Sequence, residues 1–167
     1  MANEKKIMEY ARQAGYQPLE DRCIIVKPNP GNLSDKVVSF FKSIIECELC
    51  VLQMCKTELI LLPFDKMWTY LKKEVSLVLP YRDIESVELT DDMFNTVITI
   101  HTKEDTIQLS TQQKALSDWR MSGLFATQYA GGYKNWHKEN IEETLKALAK
   151  LGDVKDSSLD QSEEKRD

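Results

Sequence analysis

At 167 residues and 19.3 kDa, with 42% apolar residues, the chain is long enough to close one core without disulfide or metal staples. A net charge of −5 and a pI near 5.2 argue against a general nucleic-acid binder, whose affinity for phosphate comes from clustered Lys and Arg. Part of the acidity sits in residues 153–167, DVKDSSLDQSEEKRD, where six acids and three bases give net −3 and leave −2 for residues 1–152.

Four cysteines behind the N-terminus MANEKKIMEYARQ, which has no apolar leader run, suggest reduced thiols and a cytoplasmic location. The longest apolar stretches, such as LILLPF, fall well short of the roughly 20 residues of a spanning helix, so no transmembrane segment is expected.

In chain order, Ile7, Tyr10, Ala11 and Ala14 recur at helical spacing, and Gly15 supplies a left-handed stop, which predicts a short helix over 3–14. Arg22–Lys27 reads as a brief strand, broken by Pro28-Asn29-Pro30-Gly31-Asn32. Ser34 is an N-cap for a second helix to about Ile45, with Val37, Val38, Phe41, Ile44 and Ile45 on one face. A strand over 48–54 then opens a meander through Leu59–Leu62, Val75–Leu79, Ile84–Leu89, Val97–His101 and Ile107–Leu109.

The alternation of Val75, Leu77 and Leu79, ended by Pro80, and that of Thr106–Ser110 after the Lys103-Glu104-Asp105 turn are the clearest strand signals. The stretch Pro63–Glu74 extends a hairpin or hangs out as a loop; the pattern fits both. A short helical turn is expected near Ala115–Met121, and Gly131-Gly132 marks a break. A last amphipathic helix over 136–151 places Ile141, Leu145, Leu148 and Ala149 on one side, stops at Gly152, and gives way to disorder from about residue 154.

The succession LILLPF, VSLVLPYRDIESVEL, TVITIHTKEDTIQLS, followed by an amphipathic helix, resembles the pleckstrin-homology superfold, in particular bacterial PH-like and GRAM-like domains. Its most telling piece is Leu79-Pro80-Tyr81-Arg82-Asp83-Ile84-Glu85-Ser86-Val87-Glu88, similar to the strand, tight turn and strand step of those domains. The resemblance covers roughly residues 45–151. It implies an α+β fold: a PH-like antiparallel β-barrel, or two packed sheets, capped by the C-terminal helix and carrying extra N-terminal helices. The division it implies is an N-terminal helical extension over 1–45, the PH-like domain over 46–152, and an acidic tail over 153–167. It also implies binding of lipid, peptide or protein in place of catalysis, by analogy of fold.

Cys47, Cys50 and Cys55 have a spacing that a zinc or redox site would use. In an extended strand, however, positions i and i+3 face opposite ways, so these thiols read as small buried hydrophobes. His101 and His137 lack a neighbouring pattern that suggests a triad, and an enzyme would need a hydrolase-like site assembled around His137 from distant residues. No catalytic residue, metal ligand or cofactor is therefore assigned. Asp91-Asp92 and Glu142-Glu143 read as a turn and a solvated helix face.

The binding candidate is Lys66, Trp68, Tyr70, Lys72 and Lys73, where bases alternate with aromatics as an anionic lipid surface requires. Each Lys contributes about 1 kcal/mol at such a surface, and Asp65 and Glu74 offset part of that. The plain reading of the same residues is an ordinary hairpin with solvated lysines. The expected partners are accordingly a protein or a second copy of the chain, with anionic lipid as the alternative, and no nucleic acid.

Overall fold

A seven-stranded antiparallel sheet organises the chain in the computed structural model, which describes residues 3–29, 49–65, 70–119, 126–128 and 134–163. Helix α1 (Glu4–Gln13) precedes β1 (Pro18–Asn29), β2 (Cys50–Cys55), β3 (Glu58–Pro63) and β4 (Leu77–Pro80). Strands β5 (Ile84–Asp92), β6 (Asn95–Thr102) and β7 (Thr106–Gln112) complete the large sheet. A two-stranded pair, β8 (Thr127–Gln128) and β9 (Lys134–Asn135), leads into the final helix α2 (Trp136–Glu163). The helix expected over 34–45 lies outside the described residues.

Strand order is β4-β3-β2-β1-β7-β6-β5, with β1 as the shared central strand. Its first part pairs with β2, ending with Val26 opposite Cys50. From Lys27, opposite Ser110, it pairs with β7. The expected barrel is not closed: among the described residues, β4 and β5 have no strand partner on their outer edges. The reason is local: β4 has four residues and ends on Pro80, which has no donor, and the chain turns at once through the 3₁₀ segment Tyr81–Asp83 into β5. Tyr81 ties that corner down by donating its hydroxyl to the Cys55 carbonyl at 2.5 Å.

Strand β1 is longer than the six residues the sequence suggests. Asp21 adopts a left-handed φ of 54°, and the pairing slips between Pro18 and Cys23, so a bulge interrupts the pattern. Gln53 repairs it, donating its amide to the carbonyls of Leu19 (2.9 Å) and Met54 (2.7 Å).

Apolar residues form two layers. Ile24, Val26, Leu52, Leu61, Ile84, Ile98, Ile100 and Leu109 fill the inner face, closed by Ile141 and Leu148 of α2, which packs across both β1 and β5. Cys23, Ile25, Val51, Ile60 and Leu62 point to the outer face, where Ile7 and Ala11 of α1, Phe64, Leu71 and Trp136 cover them. Cys23–Val26 of β1, β2 and Leu59–Pro63 of β3 are thus buried on both sides, and burying the Ile7 side chain alone contributes about 2 kcal/mol.

Helices α1 and α2 are each capped by asparagine. Asn3 accepts the Lys6 N–H at 2.8 Å, and Asn135 accepts the Lys138 N–H at 3.1 Å. Gly15, at φ 93°, closes α1 as expected. Gly152 does not stop α2, which continues to Glu163. A Cβ there would stand 2.9 Å from the Ser86 Cα, so this glycine permits close approach of α2 to β5. Among the described residues, no helix is long and apolar enough to cross a membrane.

Candidate interaction surface

Where β1 leaves β2 for β7, its backbone needs partners that no strand supplies. Side chains from α2 and β7 provide them. His137 is fully buried; its Nδ1 accepts the Ile25 N–H at 2.9 Å, which leaves the proton on Nε2 to donate to the Gln112 carbonyl at 3.0 Å. Thr111 donates to the Ile25 carbonyl at 2.8 Å. Asn140 donates to the Cys23 carbonyl at 3.2 Å and to Glu4 Oε1 at 2.8 Å. Burial lowers the His137 pKa to about 4, so the imidazole is neutral and both nitrogens are occupied by backbone.

Glu4 joins this junction to the surface. Its second oxygen meets Lys134 Nζ at 2.6 Å, and Lys134 also faces Glu139 at 3.4 Å. The hydrogen bond to Glu4 raises the lysine pKa above its ordinary value. On the other side of β9, Asn135 donates to Ser117 and Asp118, and Lys138 pairs with Asp118.

Cys50 joins the inner layer and Cys55 the outer one, on opposite faces of β2; Cys47 lies outside the described residues. Burial pushes the Cys55 thiol up to about 12 with help from Glu58, and burial followed by Glu4 raises Cys23 further. Among the described residues, no group of three His, Cys, Asp or Glu side chains stands together as metal ligands.

The basic-aromatic candidate divides. Lys66 and Trp68 lie outside the described residues, whereas Tyr70, Lys72 and Lys73 are exposed, Tyr70 by 55%. The flanks of the segment pair as the base of a hairpin: Asp65 N–H donates to the Tyr70 carbonyl, Lys72 N–H donates to the Pro63 carbonyl, both at 2.9 Å, and Phe64 bridges Leu71. Leu71 is buried beneath this edge. Lys73 Nζ stands 5.8 Å from the centroid of the Tyr10 ring, so α1 and the hairpin share one exposed basic and aromatic edge.

A second surface was not singled out in the sequence. Asp92 pairs with Asn95, so Met93 and Phe94 alone make the β5–β6 turn. Met93 has φ 49° and is 83% exposed; Phe94 is 46% exposed, and Leu89 on β5 is exposed as well. A two-residue turn with positive φ at its first residue favours glycine there, because that backbone penalises a Cβ. Two large apolar residues in water, between Asp91-Asp92 and Asn95, were the available signal.

A cleft of about 340 Å³ opens where Leu79 and Asp83 meet the β6–β7 turn. Its walls carry Asp83, Glu104 and Asp105 against Lys103, a negative balance that disfavours phosphate head groups. Comparison of the chain with protein-family models, curated proteins and solved structures finds no match.

Proposed function

We propose that the chain is a non-enzymatic interaction module of pleckstrin-homology-like fold that binds a protein partner or a second copy of itself. The fold assignment is supported by the strand order, the long central β1, the open corner after Pro80 and the C-terminal helix packed across the inner layer. One observation carries the association reading: Met93 and Phe94 stand exposed in a two-residue turn whose backbone disfavours a side chain. A left-handed residue other than glycine carries a local conformational cost, and an exposed apolar pair is a feature of contact surfaces.

The test is the Met93 methyl resonance followed through a dilution series, assigned with Met93→Leu. A shift that grows with concentration, together with slower diffusion, is the expected result. A methyl signal and a diffusion coefficient that ignore concentration contradict self-association.

The exposed Tyr70, Lys72 and Lys73 favour a second reading, peripheral binding to anionic lipid. Co-sedimentation with vesicles containing phosphatidylserine tests it. Binding lost in high salt and in Lys72→Glu/Lys73→Glu supports this reading, and no binding to the vesicles removes it.

A further inference from the structure

The association reading leaves open which surface receives the β5–β6 turn. Asp91 and Asp92 are exposed beside it, and Asp91 is held by the Thr96 hydroxyl at 2.9 Å. Among the described residues, no cation forms an ion pair with either carboxylate. Lys114, which follows Gln113 at the base of the turn, is engaged by Glu142 at 3.0 Å, and Glu88 faces His101. The turn thus presents two apolar side chains flanked by two carboxylates.

The edge formed by Tyr70, Lys72 and Lys73 presents a partial complement, an exposed ring with two exposed lysines whose charge Asp65 and Glu74 offset in part. Lys73 is already oriented over Tyr10. A methionine thioether and a phenyl ring both pack favourably on a tyrosine ring. The two surfaces belong to different halves of the sheet, the turn to β5 and β6 at one edge and the receiving edge to the hairpin after β3.

We propose that Met93 and Phe94 of one copy, with Asp91 and Asp92, dock on the Tyr70, Lys72 and Lys73 edge of a second copy of this chain. The proposal rests on the association reading and names its partner and receptor. Because the two patches differ, the contact is heterologous: it closes into a dimer or ring if the geometry returns on itself, and otherwise extends as a chain.

Charge exchange between two variants tests it. In Asp91→Lys/Asp92→Lys the turn repels the receiving edge of its own kind, and in Lys72→Glu/Lys73→Glu the receiving edge repels the turn. Mixed together, the lysine turn of the first meets the glutamate edge of the second, and the wild-type surfaces meet each other. Sedimentation velocity on each variant and on the equimolar mixture reads the outcome, with thermal unfolding as the check that both variants fold.

The expected result is association at least about tenfold weaker in each variant alone, from two exposed charge pairs lost and turned repulsive, and restored in the mixture. Misfolding of either variant would not be repaired by mixing. Wild-type association that depends on Met93 but ignores all four charge reversals overturns this inference and leaves the turn as a contact surface. A wild type that stays monomeric throughout overturns both.

Discussion

His137 offers a quantitative test of the junction at the centre of the sheet. Its pKa falls from 6.5 to about 4 on burial, so between those values the unfolded chain takes up a proton that the folded one refuses. The stability this neutral imidazole contributes is present in full above pH 6.5 and is lost as pH falls towards 4. The slope is about 1.4 kcal/mol per pH unit, and the whole interval corresponds to about 3 kcal/mol.

His137→Gln keeps a group that accepts from Ile25 and donates to Gln112 without titrating. At pH 7.5 the variant should be less stable by about 1–2 kcal/mol, the cost of imperfect geometry at two buried hydrogen bonds. At pH 4.5 the difference should vanish or reverse. Urea unfolding of both proteins at several pH values between 7.5 and 4.5 measures this, with His101 and the carboxylates common to both. Parallel pH curves would refute the reasoning, because they would mean that His137 is protonated in the folded protein or solvated.

Other predictions test separate parts of the fold. Gly152→Ala, which inside a helix ordinarily stabilises by about 1 kcal/mol, should here destabilise by about 1–3 kcal/mol, because the new Cβ meets the Ser86 Cα at 2.9 Å. Thermal melting decides the sign. Tyr81→Phe removes the hydroxyl that holds the β4–β5 corner to Cys55 and should cost about 1 kcal/mol in denaturant unfolding. Cys23 and Cys55 should resist iodoacetamide in the native protein at neutral pH and react once it is unfolded, read by peptide mass spectrometry. Rapid native labelling of either would contradict their burial.

Strands β6 and β7 are legible because they alternate, whereas the strand expected over Val75–Leu79 begins only at Leu77 and its four residues are all half-buried. Thr106–Gln112 alternates one side in and one side out, and its structure does the same. The Pro80 stop and the Lys103–Asp105 turn stand where the sequence placed them. In the sequence, Glu20-Asp21-Arg22 and the bulge at Asp21 hide the first half of strand β1. Cys23–Val26 then show no alternation, being buried from both faces.

Gly152 carried the right signal for a helix stop, but the backbone of β5 decides its role. The polar junction was not readable at all, since Glu4 and Asn140 meet across 136 positions of sequence. The basic and aromatic pattern of Tyr70, Lys72 and Lys73 is local and readable in the sequence, and these residues are exposed. The exposure of Met93 and Phe94 depends on a two-residue turn that only the β5–β6 register establishes.

The central claim, that the β5–β6 turn is an association surface, is tested most directly by the mass of the protein in solution. Light scattering across a wide concentration range should give a wild-type mass that rises above 19.3 kDa and falls back in high salt. Met93→Asn, which suits the left-handed backbone, should remain at the monomer mass with equal or higher melting temperature. A wild-type mass of one chain at every concentration, or a Met93→Asn variant that associates as the wild type does, would contradict the account.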